Sequence, residues 1–312
     1  MRALLYERFG PPEVLHVGEV DAPAVRMGEV LVRVAAAALN PKDVLIRKGK
    51  FAAIAGRRFP KIPGYDFAGT VEHVGPRVGG LSVGEPVYGM INRWSAGACA
   101  ELVSVPASEL THKPERSTMV EAAAVPLAAL TALQALRDEA RVSAGARVVI
   151  NGASGGVGTF AVQVAKRLGA RVIAVCSRRN ADLVTGLGAD EVCAYDERDV
   201  RQLGGEVNAF FDVFGNQPYP TVRHLLSKRG RFVTTIPRPA AVARDIATRF
   251  TARSARLVVV KSRARDLDLL RSWIDDGVLR PVVDRSLPLD EGVEAATYLE
   301  TRRARGKIVL TL

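Results

Sequence analysis

Residues 148–175 read VVINGASGGVGTFAVQVAKRLGARVIAV, and no other stretch restricts the fold as strongly. A short apolar run (Val148, Val149, Ile150) enters a turn of small residues, Ala153-Ser154-Gly155-Gly156-Val157-Gly158. Helical spacing follows to Leu168, Gly169 stops it, and a second apolar run covers 172–175. Strand, glycine turn, helix and strand in that order form the unit that binds a dinucleotide. Phosphate oxygens need backbone N–H donors, and the first helical turn offers unpaired ones at the positive end of the helix dipole. Side chains would hold a pyrophosphate away, so glycines line the turn. The pattern is A-x-G-x-x-G, with Ala153 in place of the first glycine of the strict fingerprint.

The end of the second apolar run predicts which dinucleotide. An NAD site usually places Asp or Glu there to bind both ribose hydroxyls. Here the chain reads Cys176-Ser177-Arg178-Arg179-Asn180, with no carboxylate. A hydroxyl followed by two guanidinium groups suits a 2′-phosphate, so the expected cofactor is NADPH.

The 312 residues, 48% of them hydrophobic, suffice for a sizeable core and for two domains. No apolar run is long enough to cross a bilayer, and MRALLYERFG lacks the apolar centre of a signal peptide, so no membrane partner is expected. Cys99, Cys176 and Cys193 are few, odd in number and far apart, which argues against a disulfide framework and for a reducing, cytoplasmic setting. The net charge of +11 raises the question of nucleic acid. The basic residues are interspersed with acids and aromatics make up only 6%, so a solvated basic surface is the preferred reading.

The first part of the chain reads as short strands near 28–34, 69–75, 85–89 and 100–105, and its many prolines exclude long helices. From 118 the texture becomes alanine-rich and helical, with Ser117 as the expected N-cap. From 147 strands and helices alternate, which predicts a doubly wound parallel sheet of the Rossmann kind with helices on both faces, an α/β class. A strand at 256–260, a helix at 264–276 and a last strand at 307–310 complete the reading.

Four stretches together resemble the medium-chain dehydrogenase/reductase superfamily: ALNPKDVLIRKG from Ala38, IPGYDFAGTVEHVGPRV from Ile62, VPLAALTALQAL from Val125 and NGASGGVG from Asn151. The tail RARGKIVLTL is similar too, and the nearest likeness is the zinc-free quinone oxidoreductase, or zeta-crystallin-like, branch. The resemblance implies a GroES-like β-barrel domain (1–118 and 257–312) split around a Rossmann domain (119–256), a cofactor and substrate in the cleft between them, and a homodimer. Zinc members carry a cysteine where this chain has Asn40, and G-H-E where it has Gly64-Tyr65-Asp66, with no third cysteine in 126–131. Thiolate and imidazole are what zinc prefers, so no metal is expected.

The chemistry implied is NADPH-dependent hydride transfer to a quinone or an α,β-unsaturated carbonyl, with charge moving onto the carbonyl oxygen. Candidate catalytic residues are Asn40, matched to a family asparagine near the nicotinamide, Lys42, at a proton-relay position, and Tyr65, a possible donor. Candidate cofactor contacts are Asn40, Thr131, Ser154, Gly155, Gly156, Val157, Gly158, Ser177, Arg178, Tyr195, Thr235 and Ile236. Relatives often carry tyrosine after the NPxD motif. Leu45 and Phe51 stand there, which weighs against the alternative of a carrier-bound enoyl-thioester reductase. A non-enzymatic NADPH-binding or nucleic-acid-binding protein is the third alternative, supported only by the charge.

Overall fold

The computed structural model describes all of residues 1–312. The chain divides into two compact units, Met1–Leu127 with Lys261–Leu312, and Ala128–Val260. The divisions fall at 127/128 and 260/261, against the expected 118/119 and 256/257.

In the second unit six strands form one sheet in the order Glu191–Ala194, Arg171–Cys176, Arg147–Asn151, Val207–Asp212, Leu226–Thr234, Ser254–Leu257. Every neighbouring pair is parallel. A parallel sheet is covered on both faces, which is why its central strands are almost uninterrupted apolar runs. Val149, Ile173, Val175, Phe210 and Phe232 belong to one buried cluster. Each fully buried side chain of that size contributes about 1.5–3 kcal/mol. The strand order reverses beside Arg147–Asn151, and in such sheets ligands bind outside the carboxyl ends at that reversal.

The first unit holds a seven-stranded sheet. Its longest member, Glu29–Leu39, pairs with Asp66–Val74 along one edge. Its other edge pairs first with Leu102–Pro106 and then, through residues 36–39, with the last strand, Lys307–Thr311. Register shifts near Leu31 and Val34 bend the long strand between these partners. The end of the chain therefore lies directly beside the turn that begins at Asn40.

Two local expectations are corrected. Thr118, not Ser117, caps the helix Met119–Ala123: its hydroxyl accepts from Glu121 N at 3.2 Å, and the Glu121 carboxylate accepts from Thr118 N at 2.8 Å. The strand expected at 256–260 stops at Leu257, where pairing with Leu226–Thr234 ends, and Val259 is 67% exposed. No helix is long and apolar enough to cross a membrane.

Candidate active site

In the second unit the glycine turn joins Arg147–Asn151 to the helix Gly156–Arg167. Gly152 adopts φ +86°, and Gly152 N and Ala153 N both donate to Val175 O, tying the turn to the second strand. At Gly158 an added Cβ would lie 2.0 Å from Gly152 O, so only glycine lets helix and strand approach this closely. Gly155 is different. It is the N-cap residue at φ −84°, ψ 177°, and its nearest obstacle is Gly152 O at 3.5 Å. The space in front of Gly155 is therefore open, while the N–H groups of the first helical turn lack partners within the helix.

The end of the second strand supplies a test of fit for the nucleotide. Asn180 Nδ2 donates to Ser154 Oγ at 2.9 Å, linking that end to the glycine turn. Ser177 Oγ and Asn180 Oδ1 are buried and have no hydrogen-bond partner. Buried polar atoms are nearly always satisfied, so two orphans beside the glycine turn fit a polar ligand. The Arg178 guanidinium approaches Glu197 at only 3.8 Å in an exposed pair, which is weak and easily given up. Arg178 N donates to the Asp196 carboxylate at 2.9 Å, an acid that sequence spacing did not single out. Tyr195 follows the neighbouring strand and is exposed. Thr235 and Ile236 follow Leu226–Thr234, with Thr235 Oγ1 donating to Val213 O at 3.2 Å and Ile236 N to Thr234 Oγ1 at 3.3 Å. These residues and 154–158 thus share the carboxyl edge of one sheet. Thr131 is buried in the helix Pro126–Leu133.

Sequence reasoning missed the brace behind this turn. Asn151 Nδ2 donates to Asp212 Oδ1 and Asn216 Oδ1, both at 2.7 Å. Asp212 also accepts from Gly215 N at 2.9 Å and Gln217 N at 3.1 Å, which folds the 213–217 loop. Burial pushes the Asp212 carboxyl above its usual range against the pull of these donors.

In the first unit Asn40, Lys42, Tyr65 and Asp66 come together around the helix Pro41–Arg47. Asn40 N-caps it and Pro41 suits the first helical position. Asp43 accepts from Asn40 N and from Gly64 N, both at 2.8 Å. Burial nevertheless raises the Asp43 carboxyl to about 6, opposed by those two donors. Gly64 sits at φ +92° with Cys99 Sγ where a Cβ would need to be, at 2.6 Å, so the GYD stretch needs its glycine.

Asn40 was expected to donate to a carbonyl or a ribose hydroxyl, and its amide is already engaged. Asn40 Nδ2 donates to Ala38 O at 3.2 Å and Asp66 Oδ2 at 3.0 Å, and Oδ1 accepts from Lys307 Nζ at 2.5 Å. Only this orientation of the amide is consistent, since an ammonium must face oxygen and a carboxylate must face N–H. Lys307 Nζ also donates to Leu39 O at 3.2 Å and pairs with Asp66 Oδ2 at 3.1 Å, so all three of its donors are placed. Asp66 Oδ1 accepts from Leu127 N at 2.6 Å. Tyr65 is fully buried and its hydroxyl donates to Trp94 O at 2.9 Å, so it is held inward. Lys42 alone keeps its donors: its ammonium makes no hydrogen bond or ion pair and stands 3.7 Å from the Tyr65 ring centroid and 4.5 Å from that of Trp94.

No three His, Cys, Asp or Glu side chains converge as metal ligands. Where zinc relatives place Cys and His, this chain has an engaged amide and a buried phenol, next to an ammonium already paired with Asp66. These groups do not fit zinc.

Residues 26–115 match the alcohol dehydrogenase GroES-like domain family, and residues 187–310 match the zinc-binding dehydrogenase family. The chain is 33% identical to the chloroplastic quinone-oxidoreductase homolog of Spinacia oleracea, with 99% of this chain and 98% of that protein covered. It is 32% identical to the chloroplastic NADPH-dependent alkenal/one oxidoreductase of Arabidopsis thaliana, covering 99% and 79%. Among solved structures it is similar to the quinone oxidoreductase from Coxiella burnetii, with a TM-score of 0.93, 32% identity, and 100% and 99% covered. The expected cytoplasmic setting is corrected by these relatives, both of which are chloroplastic proteins. With a Rossmann-type sheet, a GroES-like domain and relatives matched over the whole length, the chain belongs to the medium-chain dehydrogenase/reductase superfamily, in its quinone oxidoreductase branch, and is an oxidoreductase that uses a nicotinamide dinucleotide.

Proposed function

We propose that this protein is an NADPH-dependent, zinc-independent reductase of quinones and α,β-unsaturated carbonyl compounds. The observation that carries the cofactor reading is the pair of buried, unpartnered oxygens, Ser177 Oγ and Asn180 Oδ1, beside Arg178 and Arg179. Bound NADPH would supply the hydride. The chain's own residues then have separable tasks. Ser154, Gly155, Gly156, Val157 and Gly158 receive the pyrophosphate on backbone N–H groups. Ser177 and Arg178 take the 2′-phosphate, Tyr195 lies against the adenine end, and Thr131, Thr235 and Ile236 bound the nicotinamide end. Asn40 acts as a positioning residue locked to Asp66 and Lys307, and Tyr65 supports Lys42 from beneath. Zinc independence is supported by the ammonium of Lys307, which stands against Asp66 where a dication would be repelled.

Fluorescence titration with both reduced cofactors tests the reading: NADPH binds more tightly than NADH, and equal affinity overturns it. Turnover of a free enone against its enoyl thioester separates this function from that of a carrier-bound reductase.

A homodimer is also proposed. The helix Pro239–Ala247 buries none of its residues, and Val242 and Ile246 on it and Phe250 just beyond it are exposed beside the unpaired edge strand Ser254–Leu257. Light scattering on the Phe250→Asp variant should then report a monomer.

A further inference from the structure

We propose that Lys42 is the proton donor of the reaction, and that the aromatic wall formed by Phe51 and Trp94 selects flat, conjugated carbonyl acceptors. The inference rests on the reductase reading above and assigns what that reading leaves open, the source of the proton and the shape of the acceptor.

The first support is elimination inside one cluster. The reduced acceptor needs an acidic N–H or O–H near its oxygen. The Asn40 amide and the Lys307 ammonium are fully engaged, and the Tyr65 hydroxyl is turned toward Trp94 O. Cys99 is buried, and its thiol is pushed well up by that burial. Lys42 is half-buried, charged and free of acceptors. The second support is how it is held. An ammonium 3.7 Å and 4.5 Å from two ring centroids is attracted to the π faces without surrendering its N–H groups to strong acceptors. The third is the wall. The Phe51 and Trp94 centroids lie 5.4 Å apart with an interplanar angle of 47°, and both rings are partly exposed, giving a flat ligand an apolar surface next to the cation.

The step balances as follows. As the acceptor takes up hydride, its conjugated electron pair shifts onto the carbonyl oxygen. One Lys42 N–H bond breaks and one O–H bond forms on that oxygen. The nitrogen keeps the bonding pair as a neutral amine, and water returns a proton to it. Burial lowers the Lys42 ammonium below its ordinary range, and the carboxylates of Asp43 and Asp66 act in the opposite direction. Tyr65 stays neutral because burial pushes its phenol far up.

The test uses Lys42→Met and Lys42→Arg in the full chain, first without cofactor. Para-nitrophenolate is a flat ring carrying the oxyanion, and Trp94 reports its binding by fluorescence. Wild type and Lys42→Arg should bind it, and Lys42→Met should bind about tenfold or more weakly. With NADPH and benzoquinone, wild-type kcat should fall on an alkaline limb. Lys42→Met should lose that limb together with most of kcat, while Trp94→Leu should raise KM for benzoquinone and leave the limb in place. Lys42→Met with unchanged phenolate affinity and an unchanged pH profile overturns the proposal. If wild type oxidises NADPH with no quinone or enone, the reductase reading fails instead, and the phenolate measurement still decides whether Lys42 receives an oxyanion.

Discussion

Gly155 and Gly158 stand three residues apart in one turn and should fail in opposite ways. At Gly155 the backbone suits any residue, and a new Cβ meets nothing closer than 3.5 Å. Gly155→Val therefore loses only cap preference, about 1 kcal/mol, or about 2–4 °C in Tm for a chain of this size. Its side chain occupies the space in front of the helix N-terminus. Excluding the pyrophosphate from those N–H groups should weaken NADPH binding about a hundredfold, equivalent to about 2.8 kcal/mol. At Gly158 the added Cβ falls 2.0 Å from Gly152 O and 2.7 Å from Ala153 Cα, both backbone. Gly158→Ala must push the helix off the strand, at about 1–3 kcal/mol or more. Isothermal titration and thermal melts on both variants give the comparison. A Gly155→Val protein that melts normally and binds NADPH like wild type would refute the placement of the phosphates, whatever Gly158→Ala does.

Ser177→Asp with Arg178→Ala should reverse cofactor choice, since a charge-assisted bond contributes about 1.5–3 kcal/mol; NADPH affinity falls about tenfold or more while NADH affinity holds or improves. Lys307→Met leaves the Asp66 charge buried without its partner and should lower unfolding free energy by about 3–5 kcal/mol in urea, or prevent folding. Carboxyl-labelled NMR should find Asp43 titrating near 6. Because its folded value lies above the ordinary one, the folded chain takes up this proton first. Asp43 thus adds stability as pH falls from about 6 toward 4 and adds none above that window. A titration in the ordinary aspartate range would refute its burial.

The parts of the molecule legible in the sequence are those whose physics is local. The glycine turn is written in consecutive residues because phosphate N–H donors, dipole and close helix packing all arise within one strand–helix junction. Even the misplaced cap was readable, since Thr118 followed by Glu121 is a capping box while Ser117 has no acid three residues on. The stretch 258–260 misled because three valines carry β propensity but have no neighbouring strand to pair with. The cluster in the first unit was legible only as a list of residue types. Whether Asn40 is free or engaged depends on Lys307, 267 residues away, and whether Lys42 is a surface lysine depends on Tyr65 and Trp94. Neither spacing nor propensity encodes such encounters.

That the last strand supplies Lys307 to a network begun at Asn40 also bears on how the molecule is made. During synthesis the ribosome delivers Asp66 well before the cation that neutralises it, which follows the whole nucleotide-binding unit. Until then a buried carboxylate has no counter-ion, so the early segment has reason to stay unsettled. Completion of this pocket is thereby made contingent on translation as far as Lys307–Thr311, and a chain cut short before that strand should be left recognisably defective to cellular quality control.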